Sequence, residues 1–437
     1  MSESNNVNYI VDAGGSLRGR LKVPGDKSIS HRSIMLGSLA DGVTEVSGFL
    51  EGEDSLATLK AFRAMGVQIE GPHDGRVTIH GVGLRGLKKP AGPLDCGNSG
   101  TSMRLLSGLL AGQSFDTVLT GDSSLSRRPM KRVTAPLAQM GARIDATEKG
   151  TSPLHIHGGS QLKAIDYVMP MASAQVKSCL MLAGLYAAGK TCVTEPGVTR
   201  DHTERMLQAF GYEVGTNGST VCVSGGGILR AAPITVPADI SSAAFFLVAA
   251  SIAEGSDLVL EQVGINPTRT GVIDILRLMG ADIRLENERM AGGEPVADLH
   301  VRSAPLTGID IPRELVPLAI DEFPVLFIAA TCAKGRTVLQ GAEELRVKES
   351  DRIQVMADGL ANLGVKAQPT HDGMIIEGGQ TLSGGRIDSH GDHRIAMSFA
   401  VAALRAGGPI TIDDCANVAT SFPDFVGLAR GVGIRIR

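Results

Sequence analysis

Seven cations stand at or near the predicted starts of helices along this chain: Lys27, Arg32, Arg128, Arg200, Lys348, Arg352 and Arg394. Two carboxylates, Asp321 and Glu349, stand among them. Arginine's planar fork binds two oxygens of a phosphate or carboxylate at once. A helix start adds unpaired amides and the positive end of the helix dipole. Any one of these cations alone reads as a solvated surface charge, but the recurrence of seven does not. The chemistry they suit is the capture of small polyanions, two of them, in one cleft. A carboxylate held among cations can act as base or acid if its surroundings set its pKa. It can equally pair with a neighbouring arginine or cap a helix, and the residues themselves leave both readings open for Asp321 and Glu349.

What positions these groups is a repeated scaffold. The run from Val23-Pro24-Gly25-Asp26-Lys27-Ser28 to Gly42 returns without a gap as Val236-Pro237-Ala238-Asp239-Ile240-Ser241 to Gly255. Where the first copy carries Lys27 and Arg32, the second carries Ile240 and Phe245, so one scaffold holds cations in one place and core side chains in the other. Each half is itself threefold. Apolar helices close at Gly42, Gly112, Gly189, Gly255, Gly335 and Gly407. Amphipathic ones close at Gly66, Gly141, Gly211, Gly280, Gly364 and Gly433, where glycine supplies the left-handed residue that stops a helix. One amphipathic stripe runs from Lys348 to Leu363 through Ile353, Met356 and Leu360.

Helices apolar all round, such as Ala243 to Ala250 and Val176 to Leu185, must be buried. The predicted fold is therefore α/β: a two-domain, inside-out α/β barrel of six βαβαββ-type units of about 70 residues, three per domain. Residues 24–237 form the N-terminal domain and 238–437 the C-terminal one, which residues 1–23 join. Parallel buried helices would bring their starts, and the cations, to one face of each domain.

Composition excludes several classes. The net charge of −4 gives no basic field for nucleic acid, and with no tryptophan and four tyrosines there is no base-stacking platform. Fifty-five glycines suit a fold with many tight turns. Six cysteines without a CxxC pair read as reduced thiols of a cytoplasmic protein. Residues 1–9 are polar, without a signal core, and no apolar run reaches a membrane span. The expected assembly is a monomer.

Two motif matches fail on context. Gly184-Leu185-Tyr186-Ala187-Ala188-Gly189-Lys190-Thr191 fits a P-loop letter by letter, but a helix precedes it and a strand follows, the reverse of what phosphate binding needs. Gly81-Val82-Gly83-Leu84-Arg85-Gly86 fits GxGxxG, yet Leu87-Lys88-Lys89-Pro90 opens no helix. His390, Asp392 and His393 lack a companion cluster at metal-ligand spacing, so no metal is expected.

Gly25-Asp26-Lys27-Ser28-Ile29-Ser30-His31-Arg32, Gly97-Asn98-Ser99-Gly100-Thr101, Arg128-Pro129-Met130, Leu345 to Arg352 and Gly391-Asp392-His393-Arg394-Ile395-Ala396-Met397 resemble the 5-enolpyruvylshikimate-3-phosphate synthase family. The likeness spans residues 10 to 430. Ser173 to Ser178 with Thr199 to Glu204 is similar to the bacterial class II branch. The resemblance implies transfer of the enolpyruvyl group of phosphoenolpyruvate to the 5-hydroxyl of shikimate 3-phosphate, by addition and elimination, on the route to chorismate and the aromatic amino acids. It implies Asp321 as base at the hydroxyl, with Glu349 and Lys27 as candidates for the proton at C3. It assigns Lys27, Asn98, Gly100, Arg128, Gln175, Arg352 and Arg394 to phosphoenolpyruvate. Lys27, Ser28, Arg32, Thr101, Ser173, Ala174, Gln175, Arg200, Asp321 and Lys348 go to shikimate 3-phosphate. No cofactor or metal is called for.

Two departures stand out. Thr420 occupies a place where some members carry a lysine. Gly100 stands where class II members often carry alanine, which bears on sensitivity to glyphosate. UDP-N-acetylglucosamine enolpyruvyl transferases share the repeats, but they show Lys-Asn where this chain has Lys27-Ser28, and a cysteine that Gly121 to Pro129 lacks. A six-unit ring such as a sliding clamp would spread its cations along a lining instead of gathering them at helix starts.

Overall fold

The computed structural model describes residues 7–437, so the polar N-terminal stretch lies, through residue 6, outside the described residues. Among them twelve α-helices alternate with strands of six small sheets. The helices are α1 (Lys27–Leu39), α2 (Glu53–Ala64), α3 (Gly100–Ala111), α4 (Lys131–Gln139), α5 (Ala174–Gly184), α6 (His202–Ala209), α7 (Ile240–Ile252), α8 (Gly271–Leu278), α9 (Phe323–Cys332), α10 (Arg352–Asn362), α11 (His393–Ala402) and α12 (Phe425–Val432).

The chain divides into two compact units. One is residues 25–236 with 291–293; the other is the chain through Pro24 with residues 237–290 and 294–437. Each has its own apolar core. In the first unit the three sheets share one plan. Leu94–Asp95 runs parallel to Thr117–Thr120, whose other edge pairs antiparallel with Leu154–His157, and that strand with Arg143–Asp145. Asp166–Val168, Lys190–Thr194, Thr220–Ser224 and Val214–Asn217 repeat it. In the remaining sheet the parallel edge strand beside Val43–Ser47 is Ile234–Thr235, from the far end of the segment. The second unit borrows in the same way: Arg18–Leu21 lies parallel to Asp257–Gly264, and Tyr9–Val11 pairs with Ile410–Asp413.

The odd-numbered helices lie inside these sheets. Every residue of α7 is buried, and α7, α9 and α11 pack on one another. The strand faces alternate, as one-sided sheets do: Val43–Ser47 buries Thr44 and Val46 and exposes its other three residues. Ile240 and Phe245, which replace Lys27 and Arg32 in the duplicated run, are core residues at 1% and 2% exposure.

Three expectations are corrected. The stripe from Lys348 to Leu363 becomes a helix only at Arg352, because Asp351 caps α10 by accepting the Gln354 amide at 3.1 Å. Gly112 and Gly407 do not take the left-handed conformation that the other ten closing glycines adopt; Gly112 has φ −88°. Cys192 and Cys222 are not reduced thiols: they stand opposite each other in antiparallel register and form a disulfide.

Candidate functional site

Capping fixes where each buried helix begins, and so where its first side chains sit. Asp26 accepts the Ile29 amide at 2.8 Å, Ser99 the Ser102 amide at 3.0 Å, and Ser173 the Val176 amide at 3.4 Å. Lys27, Gly100 and Ala174 are therefore the first residues of α1, α3 and α5. Hydrogen bonds between these helices show that their starts lie together. Gln175 on α5 donates to the Thr101 hydroxyl on α3 at 2.9 Å and accepts from Arg104 at 2.5 Å. His31 Nδ1 meets Thr58 Oγ1 at 2.7 Å, which meets Ser102 Oγ at 2.7 Å, linking α1, α2 and α3. Burial, then the nearby charges of Lys27 and Arg32, push the His31 pKa down to about 3, so this imidazole is neutral.

In this unit the structure gathers Asn98, Gly100, Thr101, Arg128 and Gln175. Arg128 is 7% exposed, donates to Asn98 Oδ1 at 2.7 Å and to its carbonyl at 3.1 Å, and lies 3.3 Å from where a Cβ on Gly100 would stand. Lys27 pairs with Asp54 at 3.2 Å. Arg32 is drawn inward: it donates to Thr203 at 2.7 Å, Ser178 at 2.8 Å and the Ser28 carbonyl at 2.9 Å. Ser173 and Ala174 open α5 beside Gln175. Arg200 precedes α6 by two residues and is partly buried.

The other unit holds a denser cluster. Arg352, 1% exposed, donates to Asp392 at 2.8 Å, Glu349 at 2.7 Å and Asp321 at 3.4 Å. Burial opposes its charge, but Asp392, Glu349 and Asp321 hold its pKa above arginine's ordinary value. Burial likewise works against ionised Asp392, yet Arg352 keeps that carboxyl below the usual range. Lys348 lies 3.4 Å from Asp321 and 3.1 Å from Glu344. Asp392 also caps α11 through the Arg394 amide at 2.9 Å, while Arg394 faces Glu322 at 3.8 Å. Glu322 accepts from Ser241, and Arg269 donates to Ser241 at 2.6 Å and pairs with Asp239 at 3.2 Å, so the starts of α7, α9 and α11 also meet.

Sequence reading missed Arg104 and Arg269. Arg104 lies one helical turn from Gly100, and its Nη1 would be 2.9 Å from a Cβ there; the i, i+4 spacing was the available signal. Arg269 stands just ahead of α8, the place that Arg128, Arg200 and Arg352 take before or at α4, α6 and α10. Thr420 is buried and donates to the Asn417 carbonyl at 2.7 Å, so it brings no charge. Each cluster can hold anionic groups on fixed guanidinium and ammonium groups, and in the second Asp321 and Glu349 stand among cations.

The sequence model of EPSP synthase (3-phosphoshikimate 1-carboxyvinyltransferase) matches residues 11–428. Similar proteins include a 3-phosphoshikimate 1-carboxyvinyltransferase of Methylococcus capsulatus, 70% identical over 430 residues and matched over 98% of each chain. One of Nitrosococcus oceani is 67% identical over 98% of this chain and 96% of its own. The solved EPSP synthase of Acinetobacter baumannii superposes with a TM-score of 0.88 at 62% identity, over 98% of this chain and 99% of that one.

Proposed function

The chain belongs to the EPSP synthase family, and from that premise we propose which of its residues carry the reaction. The enzyme transfers the enolpyruvyl group of phosphoenolpyruvate to the 5-hydroxyl of shikimate 3-phosphate and releases phosphate, a step of the shikimate pathway. The hydroxyl oxygen attacks C2 while C3 takes a proton, giving a tetrahedral ketal phosphate. Loss of a C3 proton and of phosphate then regenerates the vinyl group.

Asp321 takes the hydroxyl proton. Lys348 Nζ and Arg352 Nη1 each lie 3.4 Å from its Oδ1. Glu349 and Lys27 exchange the proton at C3. Arg128, Arg352 and Arg394, with Lys27, Asn98, Gln175 and the Gly100 amide, bind phosphoenolpyruvate. Ser28, Arg32, Thr101, Ser173, Ala174, Gln175, Arg200 and Lys348, with Lys27 and Asp321, bind shikimate 3-phosphate. The two domains of the reading are residues 24–237 and 238–437, with residues 1–23 in the second. The enzyme works in the cytoplasm as a monomer, and glyphosate competes at the phosphoenolpyruvate subsite.

The observation that carries these roles is the contact of Asp321, Lys348, Glu349 and Arg352 at one point, since base, acid and anion-holding groups must act within a few ångströms of each other. The test is Arg352→Ala, assayed by phosphate release. Loss of the charge that faces the phosphoenolpyruvate oxygens should raise KM for phosphoenolpyruvate and lower kcat, and unchanged values for both would remove Arg352 from the site. Circular dichroism of the variant separates this from unfolding.

A further inference from the structure

Lys177 is absent from every role assigned above, yet it is one of the most deeply buried charges in the molecule. It is the fourth residue of α5, and its side chain is 2% exposed. Its Nζ lies 2.8 Å from Glu195 Oε1 and 2.6 Å from Glu204 Oε1. Glu195 directly follows the strand Lys190–Thr194, and Glu204 is the third residue of α6. The Thr199 hydroxyl donates to Glu195. The loop that carries Arg200 is thus fastened before, within and after its span, and every fastening leads to a single ammonium on α5. That helix opens with Ser173, Ala174 and Gln175.

Burying three charges costs several kcal/mol before their attraction is counted, and apolar replacements of such groups are commonly as stable or more so. Stability alone therefore gives weak reason for this cluster. Burial pushes the Glu204 carboxyl up, and Lys177 works against that shift. A neighbouring set holds Arg32 in the same way: Thr203, beside Glu204, and Ser178, beside Lys177, both accept from Arg32, and Thr203 also donates to Ser178 at 2.8 Å.

We infer that Lys177, Glu195 and Glu204 form a positioning triad that sets Arg200 against Ser173 and Gln175 for shikimate 3-phosphate. The inference rests on the assignment of Arg200 to that substrate. Lys177 touches no substrate; it acts through the loop.

The experiment uses the full chain with Lys177→Met, Glu195→Gln and Glu204→Gln combined, which leaves no unpaired buried charge. The expected result is an unchanged melting temperature, an unchanged KM for phosphoenolpyruvate, and a KM for shikimate 3-phosphate raised roughly tenfold, as for loss of one charged hydrogen bond. Arg200→Ala is measured beside it. If Arg200→Ala raises the KM for shikimate 3-phosphate and the triple variant does not, the triad is structural and the inference fails while the Arg200 assignment stands. If neither variant raises it, both fall. Should the triple variant not fold, Thr199→Val decides the matter, because it removes only the hydroxyl that ties the loop to Glu195. About a threefold rise in that KM, from loss of a single hydrogen bond, supports the triad, and no change overturns it.

Discussion

Asp321 is the residue on which turnover hangs in this reading. Its Oδ1 lies 3.4 Å from both Lys348 Nζ and Arg352 Nη1. Asp321→Asn keeps the shape and loses the base, so kcat should fall by about 10²–10⁴ while the KM values change far less, since the amide oxygen can still meet shikimate 3-phosphate. That split is the mark of a group that acts chiefly in the transition state. Steady-state phosphate release measures it, and turnover close to wild type would reassign the base. Gly100 makes a second residue-scale case. A methyl group there would meet Arg104 Nη1 at 2.9 Å and Arg128 Nη1 at 3.3 Å. Both are ends of flexible side chains, so the fold accommodates alanine and the two guanidinium groups take the change. Glyphosate is longer than phosphoenolpyruvate and needs more of that space. Gly100→Ala should therefore raise the Ki of glyphosate more than the KM of phosphoenolpyruvate, and equal effects on both would refute the steric account. Both residues could be singled out from the chain, but their partners could not. That Arg104 crowds Gly100 follows from which face of α3 meets α5, and local spacing only hints at that.

Between elements, the starts of the helices are held by buried polar chains rather than by apolar contact alone. The chain from His31 through Thr58 to Ser102 ties α1, α2 and α3. Thr58→Val keeps the volume and leaves two buried polar groups without this partner, which should cost about 1–3 kcal/mol in denaturant unfolding. A loss near zero would mean that water or a shifted rotamer replaces the threonine. Burial, with the neighbouring charges of Lys27 and Arg32, sets how His31 responds to pH. Its folded pKa of about 3 lies below its ordinary 6.5. Between those values the unfolded chain binds a proton that the folded chain refuses. His31 therefore contributes nothing to the pH dependence of stability above 6.5, and makes stability fall as pH drops toward 3. Its ring resonances should hold still from pH 8 to 5, whereas a midpoint near 6.5 would show that the imidazole is not buried as described. The apolar and amphipathic helices were legible because their periodicity and closing glycines are local signals. The start of α10 was not, because the residues from Lys348 to Asp351 are polar and carry no period, and only the Asp351 cap marks where the helix begins. Nor was the Cys192–Cys222 pairing, since the two residues become neighbours only through the register of two strands.

At the scale of the molecule, the repeat period could be read from the chain because each unit restates the same pattern of helix, glycine and strand. Which distant strand completes the first unit could not, since Ile234–Thr235 is two residues long and carries almost no periodic signal of its own. Yet that strand closes residues 25–236 into a circle. Ile234 and Thr235 pair with Val46 and Ser47, the Val236 amide donates to the Ser47 carbonyl at 2.8 Å, and Asp41 bridges to Arg230. Ile234 and Val236 are core residues of the same unit. With its sheets and core completed from within, the segment 25–236 should fold by itself. Expressed alone, it should melt cooperatively by circular dichroism. A segment ending at Leu229 lacks the closing strand and the burial of Ile234 and Val236, at about 1.5–3 kcal/mol each. It should melt at a clearly lower temperature or not fold at all. Equal melting temperatures would show that the strand is dispensable. A segment 25–236 that stays unfolded would show that this core needs the rest of the chain, beginning with residues 291–293, which cluster with it.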